Sequence, residues 1–169
     1  MADTTGRPPV PESSAREQAL DRSGIAEWLA QTDSVPGSVY RAWAKDGIAL
    51  LPLGRRFDAI RVPCERLHAA VGSDDPRTVA TALRSWLDGP VIRDLRNSMG
   101  LYYVLIEPDA RWYGAEQCLR LETYLGVPRP GVLSLHAHWV VTPARPGYLC
   151  DPEHLAALLA TADPLEVES

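Results

Sequence analysis

The sequence has little lysine, few cysteines and no long apolar run, and each shortage excludes something. Lys45 is the only lysine among 17 basic residues, and the net charge is −5. The chain therefore lacks the overall basic footprint of a non-specific DNA- or RNA-binding protein, though a local basic patch stays open. Cys64, Cys118 and Cys150 are odd in number and widely spaced, with no CxxC pair. That excludes a structural zinc knuckle and leaves reduced, partly buried thiols. No stretch approaches the roughly 18 apolar residues of a membrane span. The N-terminus has no apolar core of a secretory signal, so the expected location is the cytoplasm and no membrane partner is expected. Neither GxGxxG nor GxxxxGK[ST] occurs, which removes the usual glycine-rich phosphate loops.

What is present suits one folded domain. A length of 169 residues with 46% hydrophobic content allows a real core. Residues 1–22 are rich in Pro, Ser and Thr and read as a flexible tail, 23–163 as a single α+β domain, and 164–169 as a frayed end. Ser23 suits a helix N-cap before Ile25, Trp28 and Leu29. A second helical pattern runs through Val39, Tyr40 and Trp43 to Gly47. IALLPLG and FDAIRVP read as strands, PCERLHAAVG as a helix ending at Gly72. Asp75-Pro76 and Asp151-Pro152 are cap-and-first-turn pairs for two further helices. PVIRDL and LYYVLIEP form a hairpin across RNSMG. AEQCLRLETYLGV reads as a helix stopping at Gly126, and GVLSLHAHWVVTP as the longest strand. The expected sheet is small, mixed or mostly antiparallel, with four to five strands and helices packed on it.

The phrases LPLGRRFDAIRVP, LDGPVIRD, LYYVLIEP, YLGVPRPG and HWVVTPARPG span about 90 residues between Gly54 and Pro146. Together they resemble the short actinobacterial proteins related to the N-terminal domain of bifunctional DNA primase/polymerases, in the archaeo-eukaryotic primase superfamily. The arginine-, alanine- and proline-rich composition also suits a GC-rich coding genome of that kind. The resemblance implies paired acids on a strand, a Ser-x-His motif and a later acid, which hold divalent metal and the incoming nucleotide. Asp58 matches the first acid, but the partner positions carry Ile60 or Arg61. Ser134 to His136 has the Ser-x-His lettering, and Asp151 looks like a helix cap. The resemblance implies the fold and a degenerate, non-polymerising member without a cofactor, acting as a binding or regulatory module linked to DNA replication or mobile elements.

Several residues carry alternatives. Asp58 shares a strand face with Ile60 and Val62, so it needs a partner; the nearby Arg55 and Arg56 of the turn are the expected ones, because Arg61 projects to the opposite face. In the enzyme reading, Asp58, His136 and His138 hold Mg2+, Mn2+ or Zn2+, since residues i and i+2 of a strand point the same way. The opposite face, Leu135, Ala137, Trp139 and Val141, is then the core side. Arg55, Arg56, Arg93 and Arg96 form an anion or nucleic-acid site if the hairpin lies beside the 54–62 strand. Tyr102, Tyr103, Trp112 and Tyr113 serve either base stacking or cross-strand packing. A third reading is a protein-interaction domain tethered by the N-terminal tail.

Overall fold

The computed structural model describes residues 24–96, 98–132 and 134–163. The two expected tails and the Ser23 cap lie outside the described residues. Helical backbone over residues 24–30 (α1) leads to α2 (Pro36–Asp46), β1 (Ile48–Pro52) and β2 (Asp58–Pro63). Then come α3 (Cys64–Val71), α4 (Pro76–Trp86), β3 (Val91–Asp94) and β4 (Leu101–Ile106). The order closes with β5 (Gln117–Leu119), β6 (Tyr124–Pro128), β7 (Ala137–Val141) and α5 (Pro152–Ala160).

Local signals account for several boundaries. Asp75 accepts a hydrogen bond from the Thr78 N–H at 3.0 Å and Asp151 one from the Glu153 N–H at 2.9 Å, so both acids cap the helices that follow. The helices α2 and α3 stop at Gly47 and Gly72, each in the left-handed conformation. The β3–β4 hairpin forms across the expected turn, with Ile92 opposite Tyr103 and Arg93 opposite Tyr102.

Five strands make one antiparallel sheet in the order β5-β2-β4-β3-β7, and β1 and β6 make a separate antiparallel pair. Apolar residues on both faces of β2 and β4 require cover on both sides, and the fold supplies it. On one face, Ile60, Val62, Val91, Val104 and Ile106 pack against Leu67, Leu83, Leu155 and Leu158 of α3, α4 and α5. On the other, Ala59, Ile92, Leu105 and Ala137 pack against Leu29, Val39, Trp43, Leu51 and Val127 of α1, α2 and the β1–β6 pair. The result is a three-layer α+β domain.

Two sequence expectations are corrected. AEQCLRLETYLGV is not a helix: β5 pairs with the edge of β2, and β6 pairs with β1 along its whole length. The run does have helical spacing, but β1 is a buried strand whose backbone groups need partners, and β6 provides them. Gly126 therefore sits inside a strand opposite Leu50. The long strand expected over GVLSLHAHWVVTP is only five residues, Ala137 to Val141. A register shift opposite Val91 and Ile92 leaves Val140 out of the pairing and carries Val141 to the helix-covered face. Leu135 precedes the strand and is 92% exposed, so the expected core face reduces to Ala137 and Trp139.

Candidate functional site

Asp58 opens β2 on the face it shares with Ile60 and Val62, and it is buried. Its Oδ2 accepts a hydrogen bond from Arg120 Nη1 at 2.8 Å and another from the Asp109 N–H at 2.9 Å. Arg120 also donates from Nη2 to the Ala110 carbonyl at 2.7 Å. One ion pair thus ties the loop after β4 to the loop after β5. The turn arginines are not the partners: Arg55 donates to the Thr32 carbonyl at 3.1 Å. Arg120 lies 62 positions from Asp58 in the chain, and no sequence pattern connects them.

The histidines are not brought to Asp58. His138 sits opposite Arg93, which sits opposite Tyr102, which sits opposite Val62. That places it three strands across and four residues along from Asp58, roughly 20 Å away by strand spacing and rise. His136 precedes β7, so strand alternation does not govern it; it is exposed, and its carbonyl accepts from the Leu95 N–H at 2.8 Å. The two imidazoles consequently serve different surroundings. Among the described residues no group of three His, Cys, Asp or Glu side chains is arranged to hold a metal ion.

The four arginines do not converge either. Arg55 and Arg56 lie in the turn before β2, at the Asp58 end of the sheet. Arg96 folds back on Asp94, with Nε 3.1 Å from Oδ1 and Nη2 2.9 Å from Oδ2, and covers Gly126. Burial disfavours ionised Asp94, but the side-chain and backbone hydrogen bonds from Arg96 outweigh it and hold the carboxyl below its usual range. Arg93 projects from the other face.

Among the described residues, two concentrations of polar groups involve the expected site residues. The first is a cleft of about 510 Å3 between α2 and β1. Arg96 and His136 line it together with Asp33 and Asp46, and Val39 and Leu50 supply apolar wall. Its size is that of a small-molecule site. The second is a row across the helix-covered face: His138 on β7, Arg93 on β3 and Tyr102 on β4, with His68 and Cys64 above them on α3. The guanidinium carbon of Arg93 lies 5.6 Å from the Tyr102 ring centroid. The Tyr102 hydroxyl and His68 Nε2 share a hydrogen bond of 2.8 Å, and the rings meet edge to face. Burial raises the Tyr102 phenol to about 12. Burial also raises the Cys64 thiol, although Arg93 pulls the other way. Tyr102 and Tyr103 are cross-strand packing residues, and Trp112 donates to the Glu116 carbonyl at 2.8 Å, while Tyr113 is 85% exposed.

Sequence reasoning does not pair Cys64 with His68; their i, i+4 spacing, which puts both on one helix face, is the signal that could have done so. The Arg93–Tyr102 neighbourhood was legible once the hairpin register was assumed. Nothing in the sequence pointed to Arg120.

Burial, and then the charge of Arg93, lower the basicity of both His68 and His138; Asp74 partly offsets this at His68. In the unfolded chain both titrate near 6.5. The unfolded state therefore binds protons first as pH falls, and folding stability drops below about pH 6.5, levelling only under the folded values. Urea midpoints at pH 8, 6.5 and 5.5 are expected to decline in that order. The His68→Gln, His138→Gln double variant should show a flatter decline over the same interval.

The fold and its polar groups define a small α+β domain. No family model matches the chain, and no curated protein or solved structure matches it. No helix among the described residues is long and apolar enough to cross a membrane.

Proposed function

We propose that the chain is a binding or regulatory module of primase/polymerase-like build that performs no nucleotidyl transfer. The observation that carries this reading is the engagement of Asp58. The one residue matching a metal-binding acid of the resembling family is buried against Arg120 and the Asp109 N–H. The next residue on its strand face is Ile60, which is buried and has no ligand atom. Two-metal phosphoryl chemistry needs a second carboxylate beside the first. The α2–β1 cleft, with charges of both signs on an apolar wall, is the surface we assign to ligand binding. In this reading the protein works in the cytoplasm of an actinobacterial host, alongside DNA replication or mobile elements; the arginine-for-lysine bias and the family-like phrases support that setting.

The test is a template-dependent primer-synthesis assay with ribo- and deoxyribonucleotides and either Mg2+ or Mn2+. No product is expected, from the natural chain or from Asp58→Asn. Product from the natural chain that disappears in a folded Asp58→Asn variant overturns the proposal.

A further inference from the structure

Packing accounts for Tyr102 and Cys64, which belong to the helix-covered core, but not for the charge of Arg93. Arg93 and His138 are direct cross-strand partners, so their Cβ atoms lie about 5 Å apart. The imidazole of His138, its basicity lowered by burial and by Arg93, brings no negative charge to the guanidinium opposite it. Arg96, three residues on, has Asp94; Arg120 has Asp58; Arg66 has Glu116 and Asp163. Among the described residues no carboxylate pairs with Arg93. Its Nε is buried with no acceptor, and its guanidinium rests on a neutral phenol ring beside the thiol of Cys64, neither of which carries a charge to offset its own. The side chain is nevertheless partly exposed, as is His138.

We propose that Arg93 and His138 form a site for a small doubly charged oxyanion, a phosphate or sulfate group, seated against the exposed side of the guanidinium. A planar fork of N–H donors suits two oxygens of such a group. The imidazole of His138 supplies a further donor from the neighbouring strand. Tyr102 and His68 are positioning residues. Their mutual hydrogen bond fixes the ring on which the guanidinium lies. This site lies on the opposite face of the sheet from Arg96 and is independent of the α2–β1 cleft.

The experiment follows the Arg93 Nε–H and His138 ring resonances by NMR while inorganic phosphate is added at constant ionic strength and pH 7. Saturable shifts of both signals are expected, with a Kd near about 1 mM. Acetate and chloride should give no saturable shift, because neither carries two charges. Arg93→Gln should weaken phosphate binding about tenfold or more. His138→Gln, at a half-buried edge-strand position, should weaken it severalfold and serves where Arg93→Gln fails to fold. Absence of saturation up to about 20 mM phosphate, an equal response to acetate, or unchanged affinity in either folded variant overturns the proposal.

Discussion

Arg120→Ala is expected to destabilise the domain by about 3 kcal/mol, and by more than Asp58→Asn does. The asymmetry follows from where each partner sits. Asp58 is 1% exposed and Arg120 is 35% exposed. Removing the arginine strands a carboxylate inside the protein with one backbone N–H for company, and breaking a buried pair in that way costs about 3–5 kcal/mol. The low end applies because water reaches the arginine side. Asp58→Asn removes the charge together with the need for compensation and keeps an acceptor for the Asp109 N–H. Its cost should be about 1–2 kcal/mol, that of a weakened hydrogen bond. Urea unfolding of both variants measures the order directly. If Asp58→Asn is the more damaging, the pair is not what secures this end of the sheet. Arg120→Ala should also loosen residues 107–110, because Arg120 holds the Ala110 carbonyl as well.

Gly54→Ala is the second large effect, expected at about 2–5 kcal/mol. Gly54 has φ +88, which costs a residue with a Cβ roughly 1–2 kcal/mol. A Cβ there would lie 2.7 Å from Leu121 Cα and 2.8 Å from Leu121 N. Those are backbone atoms of the loop that carries Arg120, and overpacking against them adds about 1–3 kcal/mol. Gly72→Ala is the matched control. Its φ is +83, but nothing lies within 4 Å of the added carbon. It should cost only the conformational part, about 1–2 kcal/mol. The difference between the two unfolding free energies isolates the steric contribution. Equal values would show that the 120–123 loop yields freely, contrary to its anchoring by Arg120 and by the Leu53 N–H to Thr123 carbonyl bond.

Features encoded by neighbouring residues were legible in the sequence. The caps at Asp75 and Asp151, the glycine stops at Gly47 and Gly72, and the β3–β4 hairpin each depend on a few adjacent positions. Features decided by distant pairing were not. LETYLGV has spacing that a helix would accept, and only the demand of β1 for a partner makes it a strand. His136 and His138 read as one face until the strand is seen to begin at Ala137, between them. The candidate site divides in the same way. Asp58 was recognisable as an acid in need of a partner, because its strand face is apolar. The identity of that partner depended on a loop whose path the local sequence does not express. Arg93 was visible as a cation, but its separation from Arg55, Arg56 and Arg96 follows from sheet register and from which face each strand presents.

The pairing of β1 with β6 also orders events during synthesis. Trp43 donates its indole N–H to the carbonyl of Val127, 84 positions later in the chain. At ribosomal rates of about 5–20 residues per second, β1 and the inner side of α2 wait roughly 4–17 seconds before their partner strand has been made. During that interval Leu51, Leu53 and Trp43, all buried in the finished domain, lack the strand that completes one layer of its core. Until β6 has been made, the chain carries this part of its core without the strand that covers it, open to proteases and to misassociation.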